Sequence, residues 1–129
     1  MDLGISGKRA LVTGGTRGIG RATVELLAAE GASVAFCARN ADAVEALAEE
    51  LRGRGVTVFA RAIDVSKEDE LKGFIRDAAE ALGGLDILVS NVTGGSLKGP
   101  EQWQQSLELD LLPLVHAIDE ATPIMEAAG

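Results

Sequence analysis

The stretch LVTGGTRGIGRA (residues 11–22) decides how this chain folds. An apolar run ends at Thr13, glycines stand at 14, 18 and 20, and a helical period begins near Ile19. Glycine leaves room for backbone to approach a neighbour closely, and a helix starting on such a turn presents free amides and the positive end of its dipole. A bound diphosphate would use both properties. The spacing T-G-x-x-x-G-x-G differs from G-x-G-x-x-G, and no following G-K-S/T marks a P-loop. A tight strand-to-helix turn without a ligand uses the same residues, so the surrounding sequence has to separate the two.

On either side, short apolar runs alternate with helical periods. RALVT (9–13), SVAFC (33–37), VTVFA (56–60) and DILVS (86–90) are nearly continuously apolar, as strands covered on both faces are. Between them lie the stripes Ile19, Ala22, Thr23, Leu26, Leu27; Val44, Leu47, Ala48, Leu51; and Leu71, Phe74, Ile75, Ala78, Leu82. Asn40 and Ser66 stand where N-caps belong, and Gly31, Gly53, Gly83 and Gly84 where helices end. A fourth helix is expected from Pro100, with Trp103, Leu107, Leu111, Leu114, Val115 and Ile118 on one side, Trp103 in the core and a bend at Pro113. Strand and helix in alternation give a doubly wound parallel sheet with right-handed crossovers, in strand order 3-2-1-4. At 129 residues, residues 1–129 are expected to form one domain.

Composition narrows the partners. Hydrophobic residues make up 47% and charged residues 25%, a globular profile, and no segment approaches a membrane span or a signal peptide, so a cytoplasmic protein is expected. Twenty Asp plus Glu against 12 Lys plus Arg give a net charge of −8, which repels nucleic acid and anionic membrane. One cysteine and one histidine exclude an internal disulfide and argue against a metal site. Cys37 and His116 receive no role.

The strand ends name the ligand. In a doubly wound sheet the end of the second strand faces the adenine ribose, where an acid would accept from the 2′ and 3′ hydroxyls. Here stands CARN (37–40), with Arg39 and no acid, and Arg17 in the glycine loop reaches toward the same place. Two guanidiniums favour a 2′-phosphate, hence NADP over NAD, although either arginine is also an ordinary surface charge if no ligand binds. Past the third strand, Asp64 can accept from an adenine amino group or serve the following helix start. After the fourth, Asn91 and the run Thr93-Gly94-Gly95 suit a loop beside a cofactor.

Together TGGTRGIG (13–20), CARN (37–40), Asp64-Val65, LVSNVTG (88–94) and the helix from Trp103 resemble the classical short-chain dehydrogenase/reductase family over the whole chain. The resemblance implies a Rossmann-like fold in which Thr13, Gly14, Thr16, Arg17, Gly18, Ile19 and Gly20 hold the diphosphate, with Ile19 toward the nicotinamide half. It further implies that Arg17 and Arg39 read the 2′-phosphate, Asp64 and Val65 contact adenine, and Asn91 supports the crevice. Two positions depart: Ser90-Asn91-Val92-Thr93 replaces Asn-Asn-Ala-Gly, and Asp110, expected to point inward, occupies the place of the family's catalytic asparagine. Family members run to about twice this length and carry a catalytic serine and Tyr-x-x-x-Lys in the second half. This chain has no tyrosine and is expected to be inactive alone, with no catalytic residue of its own, as the NADP(H)-binding portion of an oxidoreductase acting on a carbonyl or alcohol. A non-catalytic dinucleotide-binding or interaction subunit, or an inactive truncated fragment, is the alternative. A homo-oligomer is expected, through the open edge of the fourth strand or the helices from Pro100.

Overall fold

The computed structural model describes residues 2–91 and 99–129. Four strands, β1 (Arg9–Thr13), β2 (Ser33–Ala38), β3 (Val58–Ala62) and β4 (Ile87–Ser90), pair in parallel in the order β3-β2-β1-β4, as expected. Side chains alternate across the sheet and meet helices on both faces. Leu11, Ala35 and Cys37 pack with Leu71, Phe74 and Ile75 of α3 (Glu68–Leu82) and with Ala117 and Ala121 of α5 (Leu112–Ala128). Val12, Val34 and Phe36 pack on the opposite face with Val24 of α1 (Gly18–Ala29) and Val44, Leu47 and Leu51 of α2 (Ala41–Gly53). Full burial of each larger side chain stabilises the fold by about 1.5–3 kcal/mol, which is why these strands read as unbroken apolar runs.

Boundaries moved where local chemistry claimed the residues. β3 begins at Val58 and not at Val56, because the Val56 N–H donates to the Leu51 carbonyl (3.1 Å) and so closes the exit from α2. Gly53 is the last residue of α2, and the left-handed conformation falls on Gly55 (φ 83°). Ser66 does not cap α3. Lys67 holds that position without a side-chain bond, while the Ser66 hydroxyl and amide turn back to Asp64. Asn40 does cap α2, its Oδ1 accepting from the Ala43 N–H at 3.0 Å.

The last helical stretch differs most from expectation. It is α4 (Gly99–Ser106), a π turn (Leu107–Leu111) and α5. The Leu112 N–H reaches back five residues to the Leu107 carbonyl, and Pro113, which has no N–H, follows directly. The wide turn absorbs the missing donor at the place where a bend was expected. It also shifts the helical phase, so α5 turns Pro113, Ala117 and Ala121 inward. Trp103 is 59% exposed, not core. Asp110 is half-buried. No helix among the described residues is long and apolar enough to cross a membrane.

At the amino-terminal end of the sheet, Arg9 ties β1 to the start of β4. Its Nε and Nη2 donate to the two carboxylate oxygens of Asp86 (2.9 and 3.0 Å), and its backbone N–H donates to Asp86 as well (2.9 Å). These bonds hold the Asp86 carboxyl at about 2, below the ordinary value near 4. A depressed folded-state value means that the contribution is fully present above about pH 4 and is lost as pH falls toward 2. Asp86→Asn should therefore lower the urea midpoint at pH 7 and flatten its decline between pH 4 and pH 2. An unchanged acid slope in the variant would count against this pair as a source of acid sensitivity.

Candidate functional site at the carboxyl ends of the strands

β1 lies at the switch point of the sheet, since the chain leaves it over one face toward β2 and reaches β4 over the other. Crevices form outside the carboxyl ends of strands at such a point. Here a cavity of about 560 Å³ is lined by the glycine loop after β1, the ends of β2 and β3, Asn91 after β4, and Leu109 of the π turn.

The loop is built for close approach. Gly14 (φ 71°) and Gly18 (φ 55°) take left-handed backbone that disfavours other residues. The N–H groups of Gly14 and Gly15 both donate to the Cys37 carbonyl (2.9 and 3.1 Å), which pins the loop to the end of β2. A Cβ on Gly20 would collide with the Gly14 carbonyl oxygen, so the first turn of α1 can rest on the loop only with glycine there. Asn91 closes the arrangement: its N–H donates to Thr13 Oγ1 (3.1 Å) and its Nδ2 to the Gly14 carbonyl (3.2 Å). One residue, through its backbone and its side chain, thus joins β1, the glycine loop and the end of β4.

α1 differs from its neighbours in electrostatics. Its N-cap, Arg17, makes no side-chain cap bond, and no acid occupies its first turn. α2 has Asn40 and Asp42 in these places, and α3 has Glu68, Asp69 and Glu70. The helix that faces the cavity therefore leaves its positive end without a carboxylate or cap of its own. Arg17 and Arg39 line the same cavity, and neither takes part in an ion pair among the described residues. Arg9, Arg21, Arg54, Arg61, Lys67, Lys72 and Arg76 all do.

Of the residues singled out in the sequence, Gly14, Thr16, Arg17, Arg39, Val65 and Asn91 line the cavity together. Thr13 is buried beneath it, holding Asn91. Gly18 and Gly20 shape the loop and the first turn of α1, while Ile19 stands 78% exposed beside them. Asp64 opens instead on an adjoining cavity of about 280 Å³. Its Oδ1 accepts from the Ser66 hydroxyl (2.6 Å) and N–H (3.0 Å), bonds that hold its carboxyl below the usual carboxylate range, with the Arg39 and Lys67 charges assisting. Residues 93–95 lie outside the described residues. Ala38 and Asn40 of the CARN run line the cavity too, and the sequence reading missed Ala43, Ile63 and Leu109, which reach it from a helix start, a strand end and the π turn and carry no motif. Burial pushes the Cys37 thiol up to about 12, which removes it from thiolate chemistry.

Comparison with known proteins agrees with this arrangement. The chain is 37% identical to a tropinone reductase homolog of Arabidopsis thaliana over 132 residues, 97% of this chain and 50% of that protein. It superposes on L-sorbose reductase from Gluconobacter frateurii, solved with NADPH and L-sorbose, with a TM-score of 0.92 and 36% identity over 100% of this chain and 51% of the other. A 7α-hydroxysteroid dehydrogenase solved with NADH and 7-oxo glycochenodeoxycholic acid gives a TM-score of 0.90 at 33% identity, covering 97% and 51%. The chain spans about half the length of the curated relatives it matches. With the short chain dehydrogenase family matched over residues 8–129, on top of the glycine loop, the strand order and the Asn91 tie, the chain belongs to that family.

Proposed function

We propose that the cavity binds NADP(H), and that residues 1–129 act as the cofactor-binding portion of an oxidoreductase acting on a carbonyl or alcohol. The observation that carries this reading is the pair of guanidiniums, Arg17 and Arg39, that form no ion pair among the described residues, beside the uncapped, acid-free start of α1. In a chain of net charge −8 whose other cations mostly have carboxylate partners, two arginines held toward one cavity make it a place for phosphate. The relatives support a nicotinamide cofactor, with NADPH in one solved structure and NADH in another, so the preference for NADP rests on Arg17 and Arg39.

Bound there, the cofactor would supply hydride transfer. The chain's own part is binding and orientation. The loop from Thr13 to Gly20 and the first amides of α1 receive the diphosphate, and Arg17 and Arg39 receive the 2′-phosphate. Val65, with Asp64 at its side, borders the adenine end, and Asn91 keeps the loop fixed to β4 so that the nicotinamide half lies toward Ile19. The family resemblance puts the proton-donating tyrosine in a second half, and this sequence contains no tyrosine. Residues 1–129 therefore bind without turning over.

A further part of the reading concerns self-association. Trp103, Leu107, Leu111, Leu114, Val115 and Ile118 are all more than a third exposed, and Ile87, Leu88 and Val89 of β4 are half-buried at an edge of the sheet. An apolar stripe continuous along α4, the π turn and α5 is the surface on which a homo-oligomer would form. A non-catalytic dinucleotide-binding subunit that works with another chain would use the same surface, and copurification of a second polypeptide bearing Tyr-x-x-x-Lys would favour it.

NADPH fluorescence should saturate on titration with the chain, without turnover of carbonyl substrates. Absence of binding at millimolar cofactor overturns the first half of the reading, and appreciable turnover the second. Gly20→Ala should weaken NADPH binding by about tenfold or more, or about 1.4 kcal/mol, because its Cβ displaces the Gly14 carbonyl. Arg39→Gln should cut the preference for NADPH over NADH by about tenfold, the scale of one charge-assisted hydrogen bond. In light scattering at tens of micromolar the chain should be larger than a monomer, and Leu107→Glu with Ile118→Glu should reduce it to one. A monodisperse wild-type monomer would argue against the stripe as an interface.

A further inference from the structure

Arg39 stands between two cavities. One is the large crevice shared with Arg17, and the other is the adjoining 280 Å³ cavity, lined by Arg39, Ala62, Ile63, Asp64 and Glu70. The second holds two carboxylates beside the one guanidinium. Asp64 has one oxygen committed to Ser66. Glu70, in the first turn of α3, folds back over the end of β3, where its Oε1 accepts from the Asp64 N–H in a long bond of 3.5 Å. Its Oε2 lies 3.7 Å from Lys67 Nζ, a loose contact. The Glu70 carboxylate is thus weakly held and borders the same space as a guanidinium that has no ion-pair partner within 4 Å among the described residues. A long flexible arginine at such a boundary can turn toward either set of negative charges.

We infer that Glu70 is a specificity-determining residue: with Asp64 it draws Arg39 toward the smaller cavity, and a 2′-phosphate in the larger one has to compete for the same guanidinium. The inference rests on the reading of the crevice as an NADP site and adds what sets the strength of its preference. Arg39 alone would give the largest discrimination between phosphorylated and unphosphorylated ribose. Glu70 lowers it and leaves the unphosphorylated nucleotide a better competitor. The effect belongs to exposed charges, so its scale is about two- to fivefold.

The test uses 2′,5′-ADP and 5′-AMP, which differ only in the 2′-phosphate and carry no redox chemistry, in calorimetric titrations of the 129-residue chain. Glu70→Gln keeps an oxygen for the Asp64 N–H and removes the charge, and it should raise the 2′,5′-ADP over 5′-AMP affinity ratio by about two- to fivefold. Asp69→Asn removes the same charge one residue away, at a position that lines neither cavity, and should leave the ratio within its error. In an Arg39→Gln background Glu70→Gln should have no effect, because the residue through which it acts is gone. An unchanged ratio in Glu70→Gln, or a gain that persists without Arg39, overturns the inference while the cofactor reading stands. Failure of the wild-type chain to bind either nucleotide overturns both.

Discussion

The contact of Gly20 with the Gly14 carbonyl is the constraint on which the site depends. It brings the first turn of α1 onto the loop that leaves β1, at a distance that no side chain tolerates. The Cys37 carbonyl receives the two loop amides from one side, and the Asn91 side chain holds the Gly14 carbonyl from the other. The cradle is therefore fixed by β2 and β4 as well as by its own glycines. On the proposed reading of the site, such preorganisation is what the loop contributes to binding a phosphate.

Charge is distributed around that cradle unevenly. The chain is acidic, and its α2 and α3 start with carboxylates that satisfy their own dipoles. The start of α1 has none, and Arg17 and Arg39 flank it without partners among the described residues. Repulsion by the whole surface and attraction at one crevice act together, because the first is screened within about 8–10 Å while the second operates at contact. On the proposed reading of the crevice, a small polyanion is held there by a chain whose overall charge repels large ones.

The helices after β4 show how packing and local chemistry trade places. The same apolar period that marks the core faces of α2 and α3 recurs from Trp103 to Ile118, yet there it lies outward. The inward positions of α5 went to Pro113, Ala117 and Ala121, small or compact residues that let the helix lie close to α3. Periodicity states that a face is apolar and is silent on what covers it.

The sequence by itself determined the four strands, the parallel order and most of the cradle. Each rests on local physics: unbroken apolar runs need cover on both faces, and glycines at 14, 18 and 20 have no good alternative to a close turn. Tertiary structure decided where β3 starts, since Val56 was needed to close α2, and that Trp103 lies outward. It also decided that Asp64 opens on a second cavity with Glu70, and that Leu109 and Ile63 line the first. Leu109 reaches the first cavity from a distant part of the chain, while the Val56–Leu51 and Asp64–Glu70 bonds close over the ends of elements, and no apolar period along the chain encodes either.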